Sequence, residues 1–124
     1  MGATNILKVI IAGGRDFNDY KLLKTKVDKI LSNKKTTHKI YILSGKARGA
    51  DLLGERYAKE NLLEVLEFPA DWETFGKRAG FKRNEEMANE AHALIAFWDG
   101  ESHGTKHMID IATKKGLLIR TIRY

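Results

Sequence analysis

Short apolar runs, each followed by a glycine-bearing loop and then by residues at helical spacing, constrain this chain's fold more than any other feature. Residues 6–12 lead into Gly13-Gly14-Arg15-Asp16, and residues 40–43 into Ser44-Gly45-Lys46-Ala47-Arg48-Gly49-Ala50-Asp51. Residues 94–98, ending in Trp98, lead into Asp99-Gly100-Glu101-Ser102-His103-Gly104-Thr105. A largely apolar run rich in β-branched residues, broken in the first case only by Lys8, fits a strand covered on both faces. Strand–glycine loop–helix units present backbone N–H groups at helix starts, where phosphate binds.

Asp19 is a suitable N-cap for a helix carrying Leu23, Val27, Ile30 and Leu31 on one side and ending near Asn33. A second helix over 50–60 turns Ala50, Leu53, Tyr57 and Ala58 inward. The third strand, 65–68, closes at Pro69 and opens a polar connection with Asp71, Trp72, Gly76 and Gly80. A third helix is predicted over about 82–92 and a fourth over 105–115, stopped by Gly116. Residues 117–122 give a fifth strand. The alternation predicts an α/β chain: a single Rossmann-like three-layer domain over 1–124 with a five-stranded, mainly parallel sheet. The expected strand order is 3-2-1-4-5. Strands one and four then lie side by side at the reversal point, where a ligand crevice opens.

Composition narrows the function. Without cysteine there are no disulfides, thiolate metal sites or cysteine nucleophiles. No apolar run approaches the ~20 residues of a membrane span. Met1-Gly2 resembles a myristoylation start, but Ile6 stands where Ser or Thr is needed. The chain is therefore expected in the cytoplasm with no membrane partner; homo-oligomerisation is left open. A net charge of +6 favours anionic partners. Much of the excess lies in Lys21, Lys24, Lys26, Lys29, Lys34 and Lys35, which read first as a solvated helix face and its exit loop.

The loops carry candidate chemistry. Arg15 supplies a guanidinium that matches phosphate oxygens, with Asp16 beside it; a local ion pair at a glycine turn is the plainer alternative. Ser44 and Arg48 could touch an anion, and Asp51 or Glu55 a ribose hydroxyl. Gly45, Gly49 and Ala50 allow close backbone approach. The loop is no Walker A element, because Ala47 replaces the required Ser/Thr. Ser102 and Thr105 could cap a helix or bind phosphate, and Asp99 could hold a ribose. Gly100 and Gly104 keep that loop open. Trp72 and Trp98 could stack on a base or pack in the core. Arg83, beside Asn84 and at a helix start, faces an unfavourable dipole, which suits an anion-facing role. His103 and His107 share a helical spacing but lack HExxH, so no metal or cofactor is implied.

Taken in order, Gly13-Gly14-Arg15-Asp16-Phe17, Ser44-Gly45…Arg48-Gly49-Ala50-Asp51, Phe68-Pro69-Ala70-Asp71-Trp72, Arg83-Asn84…Met87 and Ala96-Phe97-Trp98-Asp99-Gly100…Gly104-Thr105…Met108 resemble the YspA-like proteins of the SLOG (SMF/DprA–LOG) superfamily. The resemblance implies a Rossmann-like domain that binds nucleotides or nucleotide-derived ligands. Its relatives include LOG phosphoribohydrolases, which cleave a nucleotide's N-glycosidic bond, and DprA, which binds single-stranded DNA. Lys46 replaces a glycine usual in these proteins. Arg83 and Met87 match the first LOG motif, whereas Met108 holds the position of the second motif's glutamate. A thioether cannot transfer a proton, so LOG-type cleavage loses its carboxylate unless Asp99 or Glu101 substitutes.

The leading expectation is a sensing or sequestering module for a nucleotide-derived ligand related to NAD or ADP-ribose. The alternatives are a hydrolase of a nucleotide N-glycosidic or phosphate linkage, with Arg83 on phosphate, and a single-stranded nucleic-acid binder.

Overall fold

A computed structural model describes residues 5–124; the Met1-Gly2 start lies outside the described residues. At its centre is β1 (Asn5–Gly13), whose alternating side chains feed two separate cores. Val9 and Ile11 point to one face of the sheet and Ile10 and Ala12 to the other, and all four are buried. Each buried Val or Ile here contributes roughly 1.5–3 kcal/mol, which is why residues 9–12 carry no polar alternation.

The first face is covered by α1 (Tyr20–Leu31) and α2 (Ala50–Glu60), the second by α4 (Ala79–Glu90) and α5 (His103–Lys114). Leu23, Val27 and Leu31 fix α1 on the sheet, and Asp19 caps it by accepting from the Leu22 N–H at 3.0 Å. Buried Tyr57 on α2 donates its hydroxyl hydrogen to Asp28 of α1 at 2.7 Å. Met87 and Ala88 of α4, with Met108 and Ala112 of α5, close the opposite face.

The remaining strands are β2 (His38–Ser44), β3 (Glu64–Glu67), β4 (Ala93–Trp98) and β5 (Leu118–Arg123). They stand in the order β3-β2-β1-β4-β5, every pair parallel, as the sequence predicts. The strand order reverses between β1 and β4, with Ala12 opposite Ala96 and Gly13 opposite Phe97. No helix among the described residues is long and apolar enough to cross a membrane.

Helix boundaries correct the sequence reading in the second half. The connection after β3 contains a short helix, α3 (Trp72–Phe75), followed by a 3-10 turn over Gly76–Arg78. Asp71 caps α3 by accepting from the Thr74 N–H at 3.1 Å. Helix α4 begins at Ala79 rather than near Lys82, so Arg83 sits in its second turn and not at its start. Helix α5 begins at His103, two residues before the expected start at Thr105, because Ser102 serves as its cap.

Candidate functional site

The carboxyl ends of β1 and β4 open into a cleft of about 670 Å³. Its rim is formed by the β1–α1, β2–α2 and β4–α5 loops, with α3 and α4 as the outer wall.

The glycines of the β1–α1 loop act first as spacers. A Cβ on Gly13 would strike the Phe97 carbonyl and the Ala50 side chain. The Gly14 N–H donates to Phe97 O at 3.1 Å, and Gly14 O accepts from the N–H groups of Phe17 and Ala50, each at 3.2 Å. These bonds tie the β1–α1 loop to β4 and to the start of α2, and leave the Gly14 N–H no free hydrogen for a ligand. Arg15 and Asp16, both exposed, extend from this anchored turn along the cleft. Asp16 does not pair with Arg15 as the plain reading had it: its Oδ1 accepts from the Tyr124 hydroxyl at 2.7 Å.

From the β2–α2 loop come Ala47, Arg48 and Asp51. Gly49 has φ +79, and a Cβ there would collide with the Gly14 carbonyl and the Arg15 backbone. The residue must be glycine for the two loops to meet. Lys46 is also left-handed, at φ 65, a conformation that glycine adopts more readily than lysine. Its ammonium bridges Glu55 at 3.0 Å and Glu67 at 3.3 Å. Asp51 is 5% exposed and accepts from the Ala47 N–H at 3.3 Å. Burial pushes its carboxyl up to about 6, against the opposing pull of the Arg83 charge and backbone N–H groups.

Arg83 reaches across from α4, donating to the Gly45 carbonyl and, through Nε, to Asn84 Oδ1 at 3.2 Å. Burial lowers its pKa; Asp51 opposes that shift, and the nearby Arg15 charge adds to it. Two guanidiniums therefore face one volume. Asn84 is occupied in tying α4 to α5, with Nδ2 3.3 Å from Gly104 O and 3.1 Å from His107 Nδ1.

On the β4–α5 side, Asp99 Oδ1 accepts from the N–H groups of Glu101 at 2.8 Å and Ser102 at 2.9 Å. Those bonds hold its carboxyl below the usual carboxylate range. Ser102 Oγ accepts from the Thr105 N–H at 3.4 Å and lies 3.1 Å from Thr105 Oγ1. Gly104 lines the cleft with open space where a side chain would be. The floor is apolar, made by Met87 and Met108, so the position of the LOG glutamate is here a buried thioether.

Thus Gly13, Gly14, Arg15, Asp16, Arg48 and Asp51 converge with Trp72, Arg83, Asn84, Asp99, Ser102, Gly104 and Thr105. Other candidates do not line the cleft. Ser44 is buried, with its hydroxyl on Glu55 at 2.6 Å, and Gly45 borders a neighbouring cavity. Gly49 and Ala50 hold loops together from behind. Trp98 donates Nε1–H to Ser102 O at 3.1 Å under the Arg123 guanidinium. Gly100, at φ +89, is packed by that same Arg123, and Glu101 is exposed outside the cleft. His103 and His107 do not converge: the His107 ring packs on Phe81, 4.4 Å between centroids. Sequence reasoning missed Lys77 and Phe81 as wall residues. Their signal, an aromatic-and-lysine spacing from Trp72 onward, lies in the segment taken for a plain connection.

A parallel Rossmann-like sheet with basic side chains gathered over its switch point defines a class of α/β proteins. A profile of the YspA, cpYpsA-related SLOG family matches residues 7–75, more than half of the chain, and the chain belongs to this family. It is 35% identical over 118 residues to the Gene 61 protein of Mycobacterium phage D29, covering 89% of this chain and 91% of that one. The fold is similar to DNA processing protein A (DprA) of Streptococcus pneumoniae, with TM-score 0.74 and 17% identity over 96% of this chain. DprA of Helicobacter pylori, a protein with a single-stranded DNA binding mode, matches with TM-score 0.68 and 18% identity over 97%. The chain spans 51% of the first DprA and 66% of the second.

Proposed function

We propose that the cleft binds the phosphate of a nucleotide or nucleotide-derived ligand, as a sensing or sequestering module. The observation that carries this reading is the convergence of Arg15, Arg48 and Arg83, from two loops and a helix, on one volume beside Trp72. Charges of like sign facing one cleft repel, and a bound anion would relieve that repulsion while accepting several charge-assisted hydrogen bonds. The volume lies within the range of small-molecule sites. Asp51 and Asp99 offer carboxylate oxygens for ribose hydroxyls, and Trp72 a face for a base. NAD- and ADP-ribose-related compounds carry all three features.

A hydrolase reading has less support. Glu101 stands outside the cleft and Met108 is not ionisable, leaving Asp51 and Asp99. Single-stranded nucleic acid has a specific observation behind it, the likeness in fold to the H. pylori DprA.

Titration calorimetry against AMP, ADP, ATP, NAD, ADP-ribose and adenosine tests the reading. Saturable heat is expected for at least one phosphate-bearing compound and none for adenosine. Arg48→Ala, at an exposed position, should weaken that binding by about tenfold or more. Absence of heat and of any melting shift across the panel would reject the proposal.

A further inference from the structure

We propose that the ligand surface continues beyond the cleft as a track for single-stranded nucleic acid, running from the Arg48 side past Trp72 and Phe81 onto α3 and α4. The inference rests on the reading that the cleft holds nucleotide phosphate.

Cavities lie in series along this face. One of about 360 Å³ is walled by Lys46, Arg48, Pro69 and Trp72, and Trp72 is shared with the main cleft. Another of about 310 Å³ is walled by Phe75, Arg78, Lys82 and Phe81, and Phe81 is shared with the cleft on that side. Each junction between neighbouring cavities therefore includes an aromatic ring, Trp72 beside Arg15, Arg48 and Arg83 at one and Phe81 at the other.

These rings do not serve the core. Trp72, Phe75 and Phe81 are 51%, 42% and 46% exposed, and α3 buries no side chain at all. Cations accompany them: Lys77 lines the cleft, while Arg78 and Lys82 line the outer cavity. None of the three is in an ion pair among the described residues. Lys82 Nζ lies 5.5 Å from the Phe75 ring centroid, so ring and charge are presented together.

Exposed rings alternating with unpaired cations fit one polymer best. Each base of a single strand offers a free π-face, and each nucleotide brings one phosphate. A duplex has its faces already stacked. A mononucleotide fills one cavity and leaves the others empty. An apolar protein surface would have to strip water from Lys77, Arg78 and Lys82 without compensation. The lysines of α1 and its exit turn, by contrast, have no free ring beside them: Tyr20 is covered by Arg56, Tyr57 is buried, and Lys24 and Lys35 are engaged by Asp28.

Fluorescence anisotropy with a labelled dT12 strand, a 12-base-pair duplex and stepped salt tests the track on the full chain. The strand should bind with a steep salt dependence and at least tenfold more tightly than the duplex. Phe75→Ala and Phe81→Ala, both at exposed positions, should each weaken dT12 by roughly 5- to 100-fold. Phe75→Ala should leave calorimetric binding of a mononucleotide unchanged, since Phe75 does not line the cleft. Mononucleotide binding without dT12 binding would overturn the track and spare the cleft. Equal binding of duplex and strand, or full dT12 affinity in both variants, would likewise overturn it. Loss of both ligands would defeat the cleft reading as well.

Discussion

Asp51 enters α2 with its carboxylate almost removed from water, and that burial has a pH signature. Its folded pKa, about 6, stands above the ordinary 3.8. For a carboxyl raised on folding, the contribution to stability is full below about pH 4 and is lost as pH rises through about 6. This one group should therefore lower the melting temperature between pH 5 and pH 8. Two pKa units correspond to about 3 kcal/mol as an upper bound. Asp51→Asn retains an oxygen for the Ala47 N–H and removes the charge. The variant should melt several degrees higher than the parent at pH 8 and show a flatter profile; superimposable profiles in thermal melts would contradict the assignment. An anionic ligand in the cleft disfavours the same ionisation, so its affinity should also fall over that range. Asp51 was legible as a site residue from its place after a glycine loop. Its burial was not, because it depends on α4 folding over it, and nothing within the 44–51 segment encodes that contact. Asp16 shows the same limit: its partner Tyr124 is 108 residues away.

At the scale of elements, loops that touch one another are held by glycines whose role is steric. Gly49→Ala would place a methyl group against the Gly14 carbonyl at a φ that only glycine adopts readily. Equilibrium denaturation should show a loss of more than ~1 kcal/mol, and phosphate-ligand affinity should fall with it. A variant as stable as the parent would mean that the loops do not abut. Helix α3 behaves differently, because it buries nothing and depends on its cap. Asp71→Ala should cost the whole protein less than ~1 kcal/mol, while hydrogen exchange at Phe75 and its neighbours accelerates. This contrast also explains what could be read in advance. Helices α1, α2 and α5 announce themselves through an apolar face at helical spacing, whereas α3 has no such face. Gly80 in the first turn of α4 disguised that helix's start, since glycine is a poor helix former.

For the whole molecule, strand order and site location were legible because both follow from one regularity. Apolar runs long enough to be covered on both sides require helices on both faces, and parallel strands send their following loops to one edge. Gly13 and Asp99 meet for that reason and not through any local code. Charge was less informative. The lysines at 21–35 make the largest basic block in the sequence, yet all six named there are exposed on α1 and its exit turn, away from the cleft. The cations that matter for the proposal, Arg15, Arg48 and Arg83, are dispersed through the chain and become neighbours only when the sheet forms. The central claim, that these three cooperate in holding phosphate, is tested most directly by amide chemical-shift mapping with inorganic pyrophosphate. The account predicts saturable shifts at residues 14–16, 47–49 and 102–105, with residues 21–35 unmoved. Shifts centred on 21–35, with none around the cleft, would contradict it.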